Sequence, residues 1–380
     1  MGAIPLVDLR RENEVLGQEM RSAVSGVMDR GEYIMGREVR ELEEKLKKYC
    51  GASHCICVSS GTDALLLALM ALGVGENDEV ITSPFSWVSS AEVIAFLGAK
   101  VVFVDVNPET YLIEPEAVKA AVTPRTKAVI PVSIFGQMAD VVGIQDAVGS
   151  SIPVIEDGAQ SFGARRGELS SCGSSVIGTT SFFPTKPLAC CGDGGAVFTS
   201  DGTIAATIRS LRVHGKDGVT KLFSSVGMNA RLDTMQAAIL LVKLKHLDSM
   251  LEKRVLAAQR YAEMLEDVEG VKAPVATASA KHVYAVYTIR IGKSANQSAE
   301  ERRERVRQGF LQNEIGFAIY YDRSIHQQPA YAAFASGRTF PSCEEASDEV
   351  ISLPIHPWLT YDDQVTIVSV LKTALDSCET

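Results

Sequence analysis

The sequence predicts an α/β protein: a mostly parallel sheet flanked by helices, followed by a smaller α/β unit toward the C-terminus. Three observations predict it. Short strand-like runs recur at residues 79–82, 100–104, 128–132 and 153–156, with helix-length stretches between most of them, the alternation that marks a parallel sheet. The run 55–59 turns at Gly61 directly into a helix opened by Thr62 and Asp63. A fresh strand, 283–291, follows a region in which charge density rises from Glu252 onward. The chain of 380 residues fits two domains, at about 150 residues each. They divide as a large domain, 1–250, with an N-terminal helical segment, and a small domain, 251–380.

The elements follow in order. Residues 8–48 are charged and helix-prone, with breaks near Gly31 and Gly36. The helix after Gly61 sets Leu65, Leu66, Leu69 and Leu72 along its buried side. Runs 176–183 and 196–199 flank the turn Gly192-Asp193-Gly194-Gly195 and form a close antiparallel pair. Residues 233–251 read as a long helix, apolar on most sides from Met235 to Val242, which suits a core or an interface. "KSANQSAEERRERVRQ" reads as a loop followed by a helix with a solvated charged face.

Composition narrows the function. At 46% hydrophobic and 22% charged residues the balance is that of an ordinary globular protein. A net charge of −10 argues against nucleic acid or an anionic membrane as the main partner, while leaving room for a local basic pocket. No apolar run reaches the roughly 18 residues of a membrane span, and the N-terminus turns charged too early for a signal peptide. Eight cysteines match no zinc spacing, and six scattered histidines form no HExxH. A reduced, cytoplasmic protein without a metal site is the expectation.

Three constellations carry chemistry. Ser59-Ser60-Gly61-Thr62-Asp63 lies at a strand-to-helix junction, where free N–H groups and the helix dipole make a phosphate site; an ordinary N-cap is the competing account. In "VIEDGAQSFGARRGE", Glu156 and Asp157 end a strand, where ligands sit in such sheets. A carboxylate there either pairs a protonated ring nitrogen or caps the next turn. In "SFFPTKPLACCGDGGAVFT", Lys186 stands between Pro184 and Pro187. It is either a solvated turn lysine or a desolvated amine suited to Schiff-base chemistry. A phosphate cradle, an aspartate for a pyridinium nitrogen and a reactive lysine together are the equipment for pyridoxal 5′-phosphate (PLP).

These motifs, with "TSPFSWVSSAEV", "FVDVNPETY", "IPVSIFGQMAD", "RVHGKDG", "GMNARLDTMQAAIL" and "YYDRSIHQQPAY" in the same order, span nearly the whole chain. In this set the sequence resembles the fold type I PLP-dependent nucleotide-sugar aminotransferases of the DegT/StrS family. The resemblance implies a large domain with a mostly parallel seven-stranded sheet and a homodimer with shared active sites. It implies that Lys186 bonds the cofactor and shuttles the proton, Asp157 pairs the pyridinium nitrogen and Gln160 reaches the phenolic oxygen. Gly61, Thr62 and Ser181 hold the phosphate, with Asn229 supplied from the neighbouring subunit. Trp87 stacks on the ring or is a core tryptophan; Arg231 clamps a carboxylate or makes a structural ion pair. Tyr320, Tyr321 and His326 supply hydrogen bonds to the sugar, Tyr320-Tyr321 standing where the family often has His-Tyr.

The reaction so implied moves the amino group of L-glutamate to a nucleotide-linked keto sugar. The stretch after Lys186 most resembles the branch that aminates C3 of UDP-2-acetamido-2-deoxy-3-oxo-glucuronic acid, a step in polysaccharide sugar biosynthesis. A dTDP- or UDP-linked keto-6-deoxy sugar is the alternative acceptor. A catalytically silent regulatory protein on the same fold is the reading from a different class.

Overall fold

The computed structural model describes residues 2–278 and 280–376. Seven strands make the main sheet. In chain order they are β1 (His54–Val58), β2 (Glu79–Thr82), β3 (Lys100–Phe103), β4 (Thr126–Ile130), β5 (Ile155–Asp157), then, after a small hairpin of β6 (Arg165–Arg166) and β7 (Leu169–Ser170), β8 (Ile177–Ser181) and β9 (Gly195–Thr199). Across the sheet the order is β1-β9-β8-β5 and β4-β2-β3. Parallel bridges from Val129 to Val154 and from Val132 to Asp157 join the two halves. Only β9 runs antiparallel to its neighbours. The strands are buried on both faces and rich in Val and Ile, as a sheet covered by helices requires.

Helices α1 (Leu9–Arg30), α2 (Arg37–Cys50), α3 (Gly61–Ala71), α4 (Ser89–Phe96), α5 (Pro115–Ala121), α6 (Val141–Val148) and α7 (Gly202–Leu211) surround this sheet. Their starts are chemically explicit. Asp8, Ser60, Asp140 and Asp201 each accept a backbone N–H from the first turn of the helix that follows, a cap worth about 1 kcal/mol. Helix α3 buries Leu65, Leu66, Leu67 and Leu69 against the sheet, at about 1.5–3 kcal/mol per side chain. That burial fixes the helix start, and so the turn at Gly61, against the end of β8 inside the sheet.

Helix α8 (Thr234–Leu265) runs beyond the 233–251 expected. Leu240, Leu241, Leu247 and Leu251 belong to the core around the main sheet, and Tyr261 and Leu265 to a second core. From Ala237 to Lys243 every residue is buried. Lys243 is tolerated there because its Nζ donates to Glu12 Oε2 at 2.7 Å, tying α1 to α8.

The second core lies beneath the sheet β10-β12-β13, formed by β10 (Val271–Lys272), β12 (Tyr287–Ile291) and β13 (Val350–Leu353). Strand β11 (Ala280–Lys281) instead joins the hairpin β6-β7. Around the second core stand α9 (Ala299–Gln312) and α12 (Tyr361–Asp376), whereas α10 (Ala332–Ala335) and α11 (Pro341–Glu349) bury Ala335, Cys343 and Ala346 in the core around the main sheet. Two expectations shift here. The strand expected over 283–291 is regular only from Tyr287, because Val283 and Val286 donate to the Gly136 and Phe135 carbonyls instead. The charged face of α9 is only partly solvated: Arg302 and Arg303 are buried and donate to the Gly292, Glu269 and Ser347 carbonyls. Among the described residues no helix is long and apolar enough to cross a membrane, and no cluster of three or more His, Cys, Asp or Glu is placed to hold a metal.

Candidate active site

The site forms at the strand ends, and its first wall is the start of α3. Ser60 Oγ accepts the Asp63 N–H at 3.0 Å, and Ser59 Oγ donates to the Asp63 carboxylate. The first turn of α3 is thereby fixed with its N–H groups and positive dipole end facing the site. Gly61 lies against Ser181, the last residue of β8; a Cβ on Gly61 would stand 2.7 Å from the Ser181 Cβ. Ser181 in turn pairs in register with Gly195, where a Cβ would meet the Ser60 carbonyl at 2.4 Å. Thr62 Oγ1 hydrogen-bonds Ser89 Oγ at 2.8 Å. Ser89 begins α4 and was not singled out from sequence; its signal is a serine at a helix start in "SWVSSAEV".

The second wall is the end of β5. Asp157 is buried beside Thr179 of β8. Its Oδ1 accepts the Ala159 N–H at 3.1 Å, and no protein donor among the described residues reaches Oδ2. Burial raises the Asp157 pKa above the ordinary carboxylate value, with the Lys186 charge pulling the other way. Burial likewise holds the Lys186 pKa below the ordinary lysine value, opposed by the Asp157 charge. The lysine is set by a turn in which its own N–H donates to the Phe183 carbonyl at 2.9 Å. Lys186 is half-buried, so it is not a freely solvated turn lysine.

Behind Asp157 lies a network that sequence reading missed. Glu156 is wholly buried and accepts from Ser133 Oγ at 2.6 Å, Ser171 Oγ at 2.8 Å and the Cys172 N–H at 2.7 Å. Thr179 Oγ1 donates to the Glu156 carbonyl at 2.9 Å. These bonds lock the strand end that carries Asp157. The adjacent acids Glu156-Asp157 were the available signal, since in a strand neighbours point to opposite faces.

Gln160 Oε1 accepts the Phe135 N–H at 2.7 Å, and Gln160 Nε2 donates to Tyr321 Oη at 3.2 Å. Tyr321 meets Phe85 edge-on at 5.8 Å, and Tyr320 stands beside it at 5.7 Å between ring centroids. Trp87 is 62% exposed, which excludes the core-tryptophan account and leaves its ring free for a ligand or a partner. Asn229 is also exposed. Arg231 bridges Val58 at the end of β1, next to the Ser59–Gly61 turn. Its Nε is buried without a hydrogen-bond partner, and among the described residues it forms no ion pair. The structural ion pair weighed from sequence is thus not formed. His326 stands apart: Nε2 bonds Glu344 Oε1 at 3.0 Å, the ring packs edge-on against Phe340, and Nδ1 is enclosed without a partner.

The residues present fit PLP on three observations. A small-residue cradle at a helix start, which a Cβ would fill, suits a phosphate. A buried carboxylate with one oxygen unclaimed by protein donors suits a protonated ring nitrogen. A half-buried lysine whose pKa burial lowers suits Schiff-base chemistry.

Comparison with known proteins agrees. The model of the DegT/DnrJ/EryC1/StrS aminotransferase family matches residues 14–372. The UDP-2-acetamido-2-deoxy-3-oxo-D-glucuronate aminotransferase of Pseudomonas aeruginosa is 43% identical over 94% of this chain and 96% of its own. A DegT/DnrJ/EryC1/StrS aminotransferase from Brucella abortus, 37% identical, superposes with a TM-score of 0.92 over 98% of this chain and all of its own. A Bacillus subtilis protein solved with its cofactor PMP bound, 27% identical, superposes with a TM-score of 0.86 over 97% of this chain and 83% of its own.

Proposed function

We propose, from the premise that the chain belongs to the DegT/DnrJ/EryC1/StrS aminotransferase family, that it moves the amino group of L-glutamate to C3 of UDP-2-acetamido-2-deoxy-3-oxo-glucuronic acid. It is a PLP-dependent sugar aminotransferase. The observation that carries the acidic acceptor is Arg231, a guanidinium with no carboxylate of its own beside the phosphate-type turn. In a cycle where both substrates visit one pocket, that cation serves glutamate and a sugar acid in turn. The relative from Pseudomonas aeruginosa supports the same choice by its name.

When bound, PLP supplies the electron sink and carries the amino group between the two half-reactions. This chain's residues do the rest. Gly61, Thr62 and Ser181 hold the phosphate at the start of α3, and Asn229 reaches it from the second subunit of a homodimer. Asp157 Oδ2 accepts the ring N–H and keeps that nitrogen protonated. Gln160 Nε2 donates its second hydrogen to the phenolic oxygen, and the exposed Trp87 ring covers the cofactor face. Lys186 Nζ, whose pKa burial lowers against the opposing Asp157 charge, takes the proton from the donor's α-carbon in one half-reaction and delivers one to the sugar carbon in the other. Glutamate leaves as 2-oxoglutarate. Tyr320 and Tyr321 bond the sugar, whereas His326, its Nε2 occupied by Glu344, stands apart from them. The location we assign is the cytoplasm, with the product used in polysaccharide building.

The test offers purified enzyme glutamate with a panel of nucleotide-linked keto sugars, identifying products by mass and NMR. C3 amination of the keto uronate above all others supports the proposal. Preference for a neutral 6-deoxy keto sugar overturns the substrate and leaves the aminotransferase assignment.

A further inference from the structure

Helix α11 begins without a cap of its own. Its first residue, Pro341, has no N–H, and Phe340 before it offers no side-chain acceptor. Ser342 and Cys343 are then the first N–H groups of the helix that need partners. Both find them in one carboxylate 237 residues or more earlier in the chain. Asp105 Oδ2 accepts the Ser342 N–H at 3.0 Å, and Asp105 Oδ1 accepts the Cys343 N–H at 3.1 Å. Asp105 is half-buried two residues past the end of β3. Its Oδ1 also accepts the Val106 N–H at 2.9 Å, so the direction of the side chain is set by its own turn. A negative charge suits the positive end of the helix dipole. Neighbouring contacts hold the same two segments together. Phe103 meets Phe340 edge-on at 6.1 Å, and Arg290 Nη1 donates to the Pro108 carbonyl at 2.8 Å.

The other side of this cap leads toward the site. The Cys343 carbonyl accepts from Ser324 Oγ at 3.2 Å, and Ser324 Oγ also bonds Ser347 Oγ at 3.1 Å. Ser324 is buried and lies three residues after Tyr321. The next residue, Ile325, donates its N–H to the Pro84 carbonyl at 2.8 Å, just beyond β2. The turn that carries Tyr320 and Tyr321 is therefore pinned at its end between α11 and the main sheet. Cys343 is the shared residue: Asp105 takes its N–H and Ser324 bonds its carbonyl.

We propose that Asp105 is a positioning residue for the sugar substrate. By capping α11 across the chain it fixes Cys343, through Cys343 it fixes Ser324, and through Ser324 the turn of Tyr320 and Tyr321. The inference rests on the keto-uronate reading and adds to it a residue that touches neither cofactor nor sugar. Without the cap, Ser324 is bonded to a helix start that moves, and the two tyrosines meet the sugar over a wider spread of positions. That spread weakens sugar binding and leaves the proton transfers at Lys186 as they were.

The probe is UDP-2-acetamido-2-deoxy-3-oxo-glucuronic acid, offered to holoenzyme at saturating glutamate. Apoenzyme is titrated with PLP in parallel by fluorescence. Asp105→Ala should raise KM for the keto sugar roughly 3- to 10-fold, the size of a lost helix cap. Turnover at saturation and PLP affinity should stay within about twofold of wild type. Asp105→Asn keeps one of the two acceptors and should lie between, which keeps the comparison open if the alanine variant does not fold. Ser324→Ala cuts the same connection one step later. It should raise KM by a similar factor, and the double variant should be no worse than the poorer single one. An unchanged KM in the Asp105 variants, an equal fall in turnover and PLP affinity, or additive losses in the double variant would each overturn the proposal. Wild-type enzyme that aminates no keto uronate is a different outcome, the failure of the substrate reading beneath this one.

Discussion

Gly61 and Ser181, 120 residues apart in the chain, pack so closely that a Cβ on the glycine would stand 2.7 Å from the serine's own. The contact joins the first residue of α3 to the last of β8. It leaves the helix N–H groups open toward any phosphate held there. Gly61→Ala should push Ser181 aside and fill the cradle, an overpacking cost of about 1–3 kcal/mol. PLP affinity should fall roughly 5- to 150-fold, read by titrating apoenzyme. Unchanged affinity would remove Gly61 and Ser181 from the phosphate site.

Glu79 supports a prediction about acid. Its buried carboxylate accepts from Thr123 Oγ1 at 2.6 Å, Arg125 Nη2 at 2.7 Å and Lys100 Nζ at 3.1 Å. The Thr123 hydrogen bond leads in bringing its pKa from 4.5 down to about 2, against the opposing effect of burial. A carboxylate whose folded pKa is depressed stabilises the fold above its unfolded value. That contribution is lost as pH falls from about 4.5 through about 2. Glu79→Gln should therefore cost about 1–2 kcal/mol near pH 7, and the gap to wild type should shrink below pH 4.5. Urea unfolding at a series of pH values measures it; a gap that does not change with pH would refute the assignment.

Much of the site was readable in advance because its parts are local. A strand, a glycine turn and a helix start within one short stretch announce an anion cradle, and a lysine between two prolines is conspicuous for its apolar setting. What was not readable depends on distant partners. Glu156 needs Ser133, Ser171 and Cys172 to satisfy its buried carboxyl, and no periodicity reveals that set. The strand expected from Val283 begins later because Phe135 and Gly136 offer carbonyls that compete for Val283 and Val286. His326 looked like a sugar ligand until Glu344, eighteen residues on, claimed its Nε2. Arg302 and Arg303 looked solvated until backbone carbonyls of neighbouring segments were brought beside them.

Arg231 decides between acceptors. With its Nε buried and unpartnered, Arg231→Ala should remove a charge-assisted hydrogen bond worth about 1.5–3 kcal/mol, or roughly 10- to 150-fold in kcat/KM. Because the guanidinium is assigned to the sugar acid, the loss should be large for the keto uronate and small for its neutral analogue. Equal losses for the two acceptors would place Arg231 on the scaffold or on a part that both acceptors share, and would remove it from recognition of the sugar acid.

Asn229 and Lys186 test the shared site together. Asn229 is exposed on this chain. Trp87 and the nearby loop residues Val219, Leu222, Phe223 and Val226 are also exposed, at 62%, 89%, 68%, 68% and 89%. A two-fold dimer presents the same surface twice, so each Asn229 would serve the site of the other subunit. Lys186→Ala should leave no measurable turnover, since no other amine can replace the lysine's. Asn229→Asp should cripple the enzyme separately, by setting a carboxylate against the phosphate. In a dimer with one subunit of each kind, one site carries both lesions and the other carries neither. Random pairing from an equal mixture makes half the dimers hybrid, each with one intact site, so about a quarter of wild-type activity should return. The recovery should follow the hybrid fraction resolved by differential tagging. If verified hybrids stay as inactive as their parents, Asn229 acts within its own chain and the shared-site arrangement is wrong.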